Sequence, residues 1–599
     1  MVDLQKGGET HSVSLTVSGT EYGFMLRSWP GYRKLDVSDF SPRVSSGSLG
    51  YRDLSLWQVW AQDSWHHGMG KPYATDEAGY HKTGHGVDTR HNGIATLATK
   101  VTSSETGKTV NKFLDFDGYT YAGLAANGGV RKYDDGWAAT SQTTGTVLDM
   151  ISTGDYLVAT MDGGQTRKMG TDGTWSDAGL STADDFRQLC LHGGALWASE
   201  DGANVLHFAT ETDLSDLEGT GDTEEIVVGP GSVPIVNMVS YMGVLYVARQ
   251  DGLWIVDDTN AAYSQMDFRP ESHSSNFASM CVWHGHLYFT VRNCIYRYTG
   301  STLLDVTPPR YETVYPYRSW GSFKSLTPRG RFLYVTARNT EDDYEEHLMA
   351  YDGVGWHNLL DIVDTPYSVN TMGLSPNNDY LWLNYSGASA VTAYIPLQSL
   401  SDLPYGSFET SGNHYLYSST HDAGFVDVDK AYSDLRVRTN NCSATQTVDV
   451  YYSIDDGAWT SLGTVNESPY QALTFDIDVY GKKIALRFNL ATADSEQTPV
   501  LEATALKYLL RPDTIWGWQL PLRAADDERD LTGHRERTFT AKEKLAALEA
   551  ARDSKTVCTF TDPWGTDHYV FVTACNENGL SWQPGKNPEV MATVSLAEA

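Results

Sequence analysis

His81, His85 and His91, with Asp88 among them, carry side chains that ligate divalent metals, and three of the four could in principle share one ion. Their spacing runs through Gly79, Gly84 and Gly86, so no helix fixes two ligands on one face, and the HExxH pattern is absent. A structural role is expected for these histidines. His81, His85, Asp88 and His91 stand as weak metal candidates, and no metal is assigned.

Glycoside hydrolysis is the second chemistry to weigh, because it needs two carboxylates held across a sugar ring. The adjacent pairs Asp184-Asp185, Asp257-Asp258 and Asp342-Asp343 are neighbours whose side chains point apart on an extended chain, so they read as solvated loop charges. The acidic insert Glu341–Glu346 reads the same way. Ser453-Ile454-Asp455-Asp456-Gly457-Ala458-Trp459 approaches the Asp-box of propeller glycosidases, one residue short. Asp135-Gly136-Trp137, Asp172-Gly173-Thr174-Trp175 and Asp352-Gly353 with Trp356 are looser matches, and all are expected to be turns. Clustered carboxylates could hold Ca²⁺, but no EF-hand loop is present and no calcium site is named. No Walker loop, GxGxxG fingerprint or GxSxG elbow appears, so neither a catalytic residue nor a cofactor is assigned. Trp175, Trp283, Trp320 and Trp356 could stack on a sugar, although packing is the more ordinary use of such rings.

The elements that would position these residues follow from an internal repeat. An apolar-aromatic-apolar-small strand recurs as Tyr156-Leu157-Val158-Ala159, Leu196-Trp197-Ala198, Leu245-Tyr246-Val247-Ala248, Leu287-Tyr288-Phe289-Thr290, Leu333-Tyr334-Val335-Thr336 and Leu381-Trp382-Leu383-Asn384, after a weaker copy at Tyr119-Thr120-Tyr121-Ala122. The period is about 43.5 residues, the length of one four-stranded propeller blade. Turn pairs such as Asp162-Gly163, Asp201-Gly202 and Asp251-Gly252 follow the markers and fold each strand back into a third one. Seven copies predict a seven-bladed β-propeller over residues 105–411. Either Gly93–Val101 or Ser407–Ser418 is expected to close its edge.

Residues 1–104 carry no repeat and read as an irregular arm. Residues 412–512 alternate apolar and polar positions in short runs, the pattern of an antiparallel β-sandwich. Residues 513–532 read as a linker. Residues 533–599 read as a small α+β module, whose helix is announced by the capping box Thr540/Glu543 and the stripe Ala541, Leu545, Leu548. The fold class is thus mainly β.

Composition narrows the partners. The 599 residues include 76 acidic and 44 basic side chains, a net charge of −32. Such a field repels phosphate backbones and anionic lipid, so neither a nucleic acid nor a membrane surface is an expected partner. No apolar run is long enough to cross a bilayer and no signal peptide is visible. The six scattered cysteines suggest assembly in a reducing cytoplasm, with a Cys281–Cys294 bridge not expected.

The flanks carry a resemblance. Asp39-Phe40-Ser41-Pro42-Arg43 through Asp53-Leu54-Ser55-Leu56-Trp57-Gln58-Val59-Trp60 resembles segments of structural proteins from tailed bacterial or archaeal viruses. The run Asp427–Leu435 and the terminal block Lys555–Val572 are similar to regions of the same tail-associated proteins. The resemblance implies a virion protein of the tail tip or baseplate, assembled in the host cytoplasm as a homo-oligomer. Its terminal module would dock other tail proteins, and its propeller would contact those proteins or a host-surface glycan or protein. A glycan-binding or glycan-degrading propeller protein is the alternative, since propellers host both activities.

Overall fold

The computed structural model describes residues 4–6, 9–26, 33–36, 57–71, 73, 79–126, 128–163, 165–178, 186–210, 226–256, 262–264, 268–309, 320–338, 346–362, 368–375, 379–386, 389–397, 399–511, 516–526, 529–535, 538–581 and 589–598. The chain is mainly β and separates into two compact units, residues 58–508 and residues 1–57 with 509–599.

Among the described residues, seven sheets follow one another through the larger unit, antiparallel throughout except for one outer pair of the sixth. Their first strands are Val110–Phe116, Val147–Ser152, Phe186–His192, Ile235–Tyr241, Met280–Trp283, Phe323–Arg329 and Ser368–Leu374. Each first strand lies against the first strand of the next sheet, and Ser368–Leu374 lies against Val110–Phe116, so the neighbours form a cycle. The marker runs fall on the second strands, where residues such as Leu157, Leu196, Leu245, Leu333 and Leu381 are fully buried. The fifth position of these strands has a further use. The hydroxyls of Thr160, Ser199 and Thr290 accept from the backbone N–H of Asp149, Gln188 and Ser279 at 3.0, 3.2 and 3.3 Å. For Thr160 and Ser199 the donor sits at a bulge of the first strand, whose freed N–H would otherwise be buried unpaired.

Side chains also tie every neighbouring pair of sheets. Asn111 Nδ2 donates to Val147 O (2.8 Å), Leu189 N to Asp149 Oδ2 (3.0 Å), and His192 Nδ1 shares a hydrogen bond with Ser240 Oγ (2.9 Å). Asn237 Nδ2 reaches Phe277 O (3.3 Å), Leu326 N reaches Ser279 Oγ (2.9 Å), and Arg329 pairs with Asp379. Val110 N donates to Asn384 Oδ1 at 3.0 Å and returns the chain of contacts to the first sheet.

The seventh sheet takes its fourth strand from Thr102–Thr106, which pairs with Ala390–Pro396. The edge is therefore covered from the N-terminal side, just beyond Gly93–Val101. The other candidate segment instead contributes His414–Tyr417 to a separate five-stranded sheet. That sheet faces a seven-stranded one in which Asp429–Asn440 and Val500–Arg511 are central. Between them lie Val437, Val448, Val450, Phe488, Leu490, Leu501 and Leu506, as the alternation requires.

The arm expected over 1–104 is a correction. Gln58–Gln62, Thr83–His85, Val87–Asp88 and Ala95–Leu97 are strands of these two sandwich-like sheets, while Gly68–Met69 and Tyr80–His81 extend the sixth sheet. Gly355 lets the arm approach, because a Cβ there would collide with the His67 carbonyl oxygen.

The smaller unit corrects the other end. Trp516–Ala525, inside the expected linker, is a ten-residue strand. Pairing runs from Thr20–Leu26 to Val13–Val17, then Cys558–Thr561, Asp567–Ser581, Glu589–Glu598, Trp516–Ala525 and back to Thr20–Leu26. Six antiparallel strands thus close on themselves, which leaves no open edge in that cycle. The helix Ala541–Ser554 begins at the capping box, with Thr540 accepting from Glu543 N and Glu543 accepting from Thr540 N. It buries Leu545, Leu548 and Ala551, and its fully buried Lys544 donates Nζ to Gly23 O at 2.7 Å. Residues 533–599 are therefore part of a unit completed by Trp516–Ala525 and by strands near the N-terminus.

Candidate functional site

The histidine segment lies along the outer strands of the sixth sheet, where sequence order alone would not have placed it. Asn358, on the strand Trp356–Ile362, donates Nδ2 to Gly84 O at 2.9 Å, and Thr89 Oγ1 shares a 2.8 Å hydrogen bond with His357 Nδ1. His357 is fully buried, and its Nε2 is 3.9 Å from Asp352 Oδ2. His66 bonds to Ser64 Oγ, and its ring lies 4.3 Å from that of His67. His66, with His67 beside it, thus lies near Asp352, His91 near Asp88, and both His81 and His91 near His357.

The four metal candidates are engaged separately. Asp88 gives both oxygens to Arg90, with Nε to Oδ1 at 2.9 Å and Nη2 to Oδ2 at 2.8 Å, and it also accepts from Arg90 N. Arg90 in turn donates Nη1 to the Tyr334 hydroxyl at 2.6 Å, fastening the arm to a second strand of the sixth sheet. His91 Nε2 is 3.9 Å from Asp88 Oδ2, an oxygen that already accepts from Arg90 Nη2. His81 is buried beside His357, whereas His85 is half-exposed and stacks on Tyr415 with centroids 5.2 Å apart. Among the described residues, no three His, Cys, Asp or Glu side chains are placed to hold one metal ion.

Electrostatics fits a packed joint. Burial, with a smaller push from His357, lowers the His81 pKa to about 3, against a slight upward pull from the Trp65 carbonyl. Burial alone would raise Asp88, but the charge and hydrogen bonds of Arg90, helped by His91, hold it well below the usual carboxylate range. Asp352 is also pushed up by burial. Its His357 contact and the N–H groups of Gly355 and Val354 outweigh that and bring it to about 2. The part of this cluster not seen in the sequence is His357, Arg90 and Tyr334. The first two lie beside motifs already singled out, but nothing local announces that residues 89 and 357 meet.

The remaining candidates resolve into packing and turns. Trp283, Trp320 and Trp356 are buried, and their indole N–H groups donate to Gly330 O, Pro308 O and Val306 O at 3.0, 2.7 and 2.8 Å. Trp175 is half-buried in the second sheet. Asp172 Oδ1 accepts from Thr174 N, Asp352 Oδ1 from Val354 N and Gly355 N, and Ser453 Oγ donates to Gly457 O, so these three Asp-box-like runs are side-chain-capped turns, while at Asp135-Gly136 the turn is closed by the backbone bond from Asp134 N to Gly136 O. The acid pairs at 184–185, 257–258 and 342–343, with the insert 341–346, lie outside the residues whose side chains are described, as do 39–43 and 53–56. All six cysteines are free thiols. Cys281 and Cys294 sit on strands that flank His286–Val291 on opposite sides and so cannot meet.

No protein-family model matches the chain, and no curated protein matches it. Solved structures similar in part include the extracellular domain of the one-component system BT4673 from B. thetaiotaomicron, at 15% identity and TM-score 0.37 over 53% of this chain and 44% of that one. Raptor from Chaetomium thermophilum is similar at 11% identity and TM-score 0.38, over 51% of this chain and 30% of that one. A chain of the mitotic checkpoint complex is similar at 15% identity and TM-score 0.34, over 51% of this chain and 99% of that one.

Proposed function

We propose that this chain is a virion structural protein of the tail tip or baseplate of a tailed bacterial or archaeal virus. In this reading the seven sheets are the blades of one closed β-propeller, a rigid platform for other tail proteins or the host surface. The six-stranded unit would be the docking part that builds a homo-oligomer. The observation that carries the reading is how the candidate chemical groups are used. Asp88, Arg90 and Asp352, with the indoles of Trp283, Trp320 and Trp356, spend their polar atoms on internal bonds. That is the economy of a scaffold. The cycle of contacts and side-chain ties among the seven first strands supports closure.

The docking role is testable on the hairpin of the smaller unit, where Trp564 is 57% and Tyr569 70% exposed. Trp564→Ala with Tyr569→Ala removes exposed aromatic surface of the kind that dominates interfaces. Light scattering should show a multimer for the native chain and smaller species for the double variant, with an unchanged melting curve. A double variant that assembles like the native chain contradicts this docking role.

A further inference from the structure

The five-stranded sheet of the larger unit turns one face to its core, with Leu416, Val448, Val450, Leu486, Phe488 and Leu490 buried. The opposite face is built differently. Register places Tyr451, Arg487, Tyr417 and Thr83 side by side in one row. The next row holds Asp449, Asn489, Tyr415 and His85. Every one of these eight residues is half-exposed, as is Trp459 from the adjoining turn.

The rings form a connected surface. Tyr417 meets Tyr415 and Trp459 edge-on or tilted, at 5.0 and 5.1 Å between centroids, and the Arg487 guanidinium lies 4.2 Å from the Tyr451 centroid and 5.4 Å from that of Trp459. Tyr417 and Tyr451 flank the Arg487 strand on either side, so their backbones stand about 10 Å apart. Arg487 Nε and Asn489 Oδ1 are buried beneath this surface, so the half-exposed rings and the remaining polar atoms of the two rows are what a ligand would meet.

We infer that this face is a binding platform for a neutral oligosaccharide. A pyranose offers one apolar face of C–H groups and a rim of hydroxyls that both donate and accept. A row of aromatic rings beside a row of amide, carboxylate and imidazole groups meets both demands. Charge points the same way. In a chain of net charge −32, these rows carry one guanidinium and one carboxylate, which balance and favour an uncharged, hydroxyl-rich ligand over an ionic one. Rows anchored on sheet strands also hold their geometry, so little order has to be imposed when the ligand arrives. The inference stands independently of the tail reading, because it rests on the register of this sheet alone.

The test titrates the full chain with neutral hexasaccharides of β-glucose, β-xylose, α-glucose and N-acetylglucosamine by calorimetry, up to about 1 mM ligand. At least one should bind. Tyr451→Ala or Trp459→Ala should weaken binding about tenfold, the value of one good aromatic contact. Tyr451→Phe keeps the ring and should retain most of the affinity, and all variants should melt with the native chain. Binding that survives the combined Tyr417→Ala, Tyr451→Ala and Trp459→Ala change would place the ligand elsewhere and overturn the inference. Heat from none of the four hexasaccharides would overturn it too.

Discussion

Two histidines are held as neutral imidazoles by burial, His81 beside His357 and His421 stacked on Trp60 at 4.4 Å. Both have pKa values lowered to about 3 from 6.5. Between those values the unfolded chain binds a proton that the folded chain refuses. The stability each neutral ring contributes is therefore complete above pH 6.5 and is lost as pH falls towards 3, at about 1.4 kcal/mol per pH unit per histidine. Urea unfolding at pH 7 and pH 5 should show the larger unit losing stability on acidification, and His81→Gln with His421→Gln should flatten that slope. A native chain with equal midpoints at both pH values contradicts the burial account. Arg90 gives the complementary test. Arg90→Met leaves the Asp88 carboxylate buried without its partner and should cost about 3–5 kcal/mol, read as a shift in the urea midpoint. The sequence marked His81, His85, Asp88 and His91 as one group but could not show that Arg90 takes both Asp88 oxygens. Arg90 is a neighbour in sequence whose side-chain direction only the fold decides.

At the scale of elements, the repeat was legible because each sheet uses the same local devices. Buried aromatic strands and Asp-Gly turns recur with a period that survives without any long-range information. The helix was legible for the same reason, since a capping box is complete within four residues. Asp149 shows what local pattern cannot carry. It pairs with Lys112 of the first sheet at 2.9 Å and accepts from Leu189 N of the third, so it joins three successive sheets. Asp149→Ala should lower stability by about 2–3 kcal/mol through the backbone N–H groups it leaves buried and unpaired. Asp162→Ala, on an exposed turn, should stay within about 0.5 kcal/mol of the native chain. Equal urea midpoints for the two variants would show that Asp149 does not tie the sheets. Gly355→Ala tests the arm. Its added methyl meets backbone at the His67 carbonyl, so protease cleavage within residues 58–91 should speed up.

For the whole molecule, sequence order misled where pairing is long-range. Residues 1–104 looked irregular because their strands are short and complete sheets whose other members lie hundreds of positions away, as Gln58–Gln62 does on Thr504–Tyr508. The terminal module looked independent because nothing in Asp567–Ser581 or Glu589–Glu598 announces that Val13–Val17 and Thr20–Leu26 complete their cycle. A consequence is that deleting residues 533–599 removes the helix and three of six strands, and the remainder of that unit should not fold. The central claim, that the chain is part of a viral tail, is tested most directly by immunogold labelling of virus particles from the same source with antibody against residues 105–397. Gold at the tail end is the predicted result. Intact particles without label, alongside soluble protein that the antibody recognises, would contradict it.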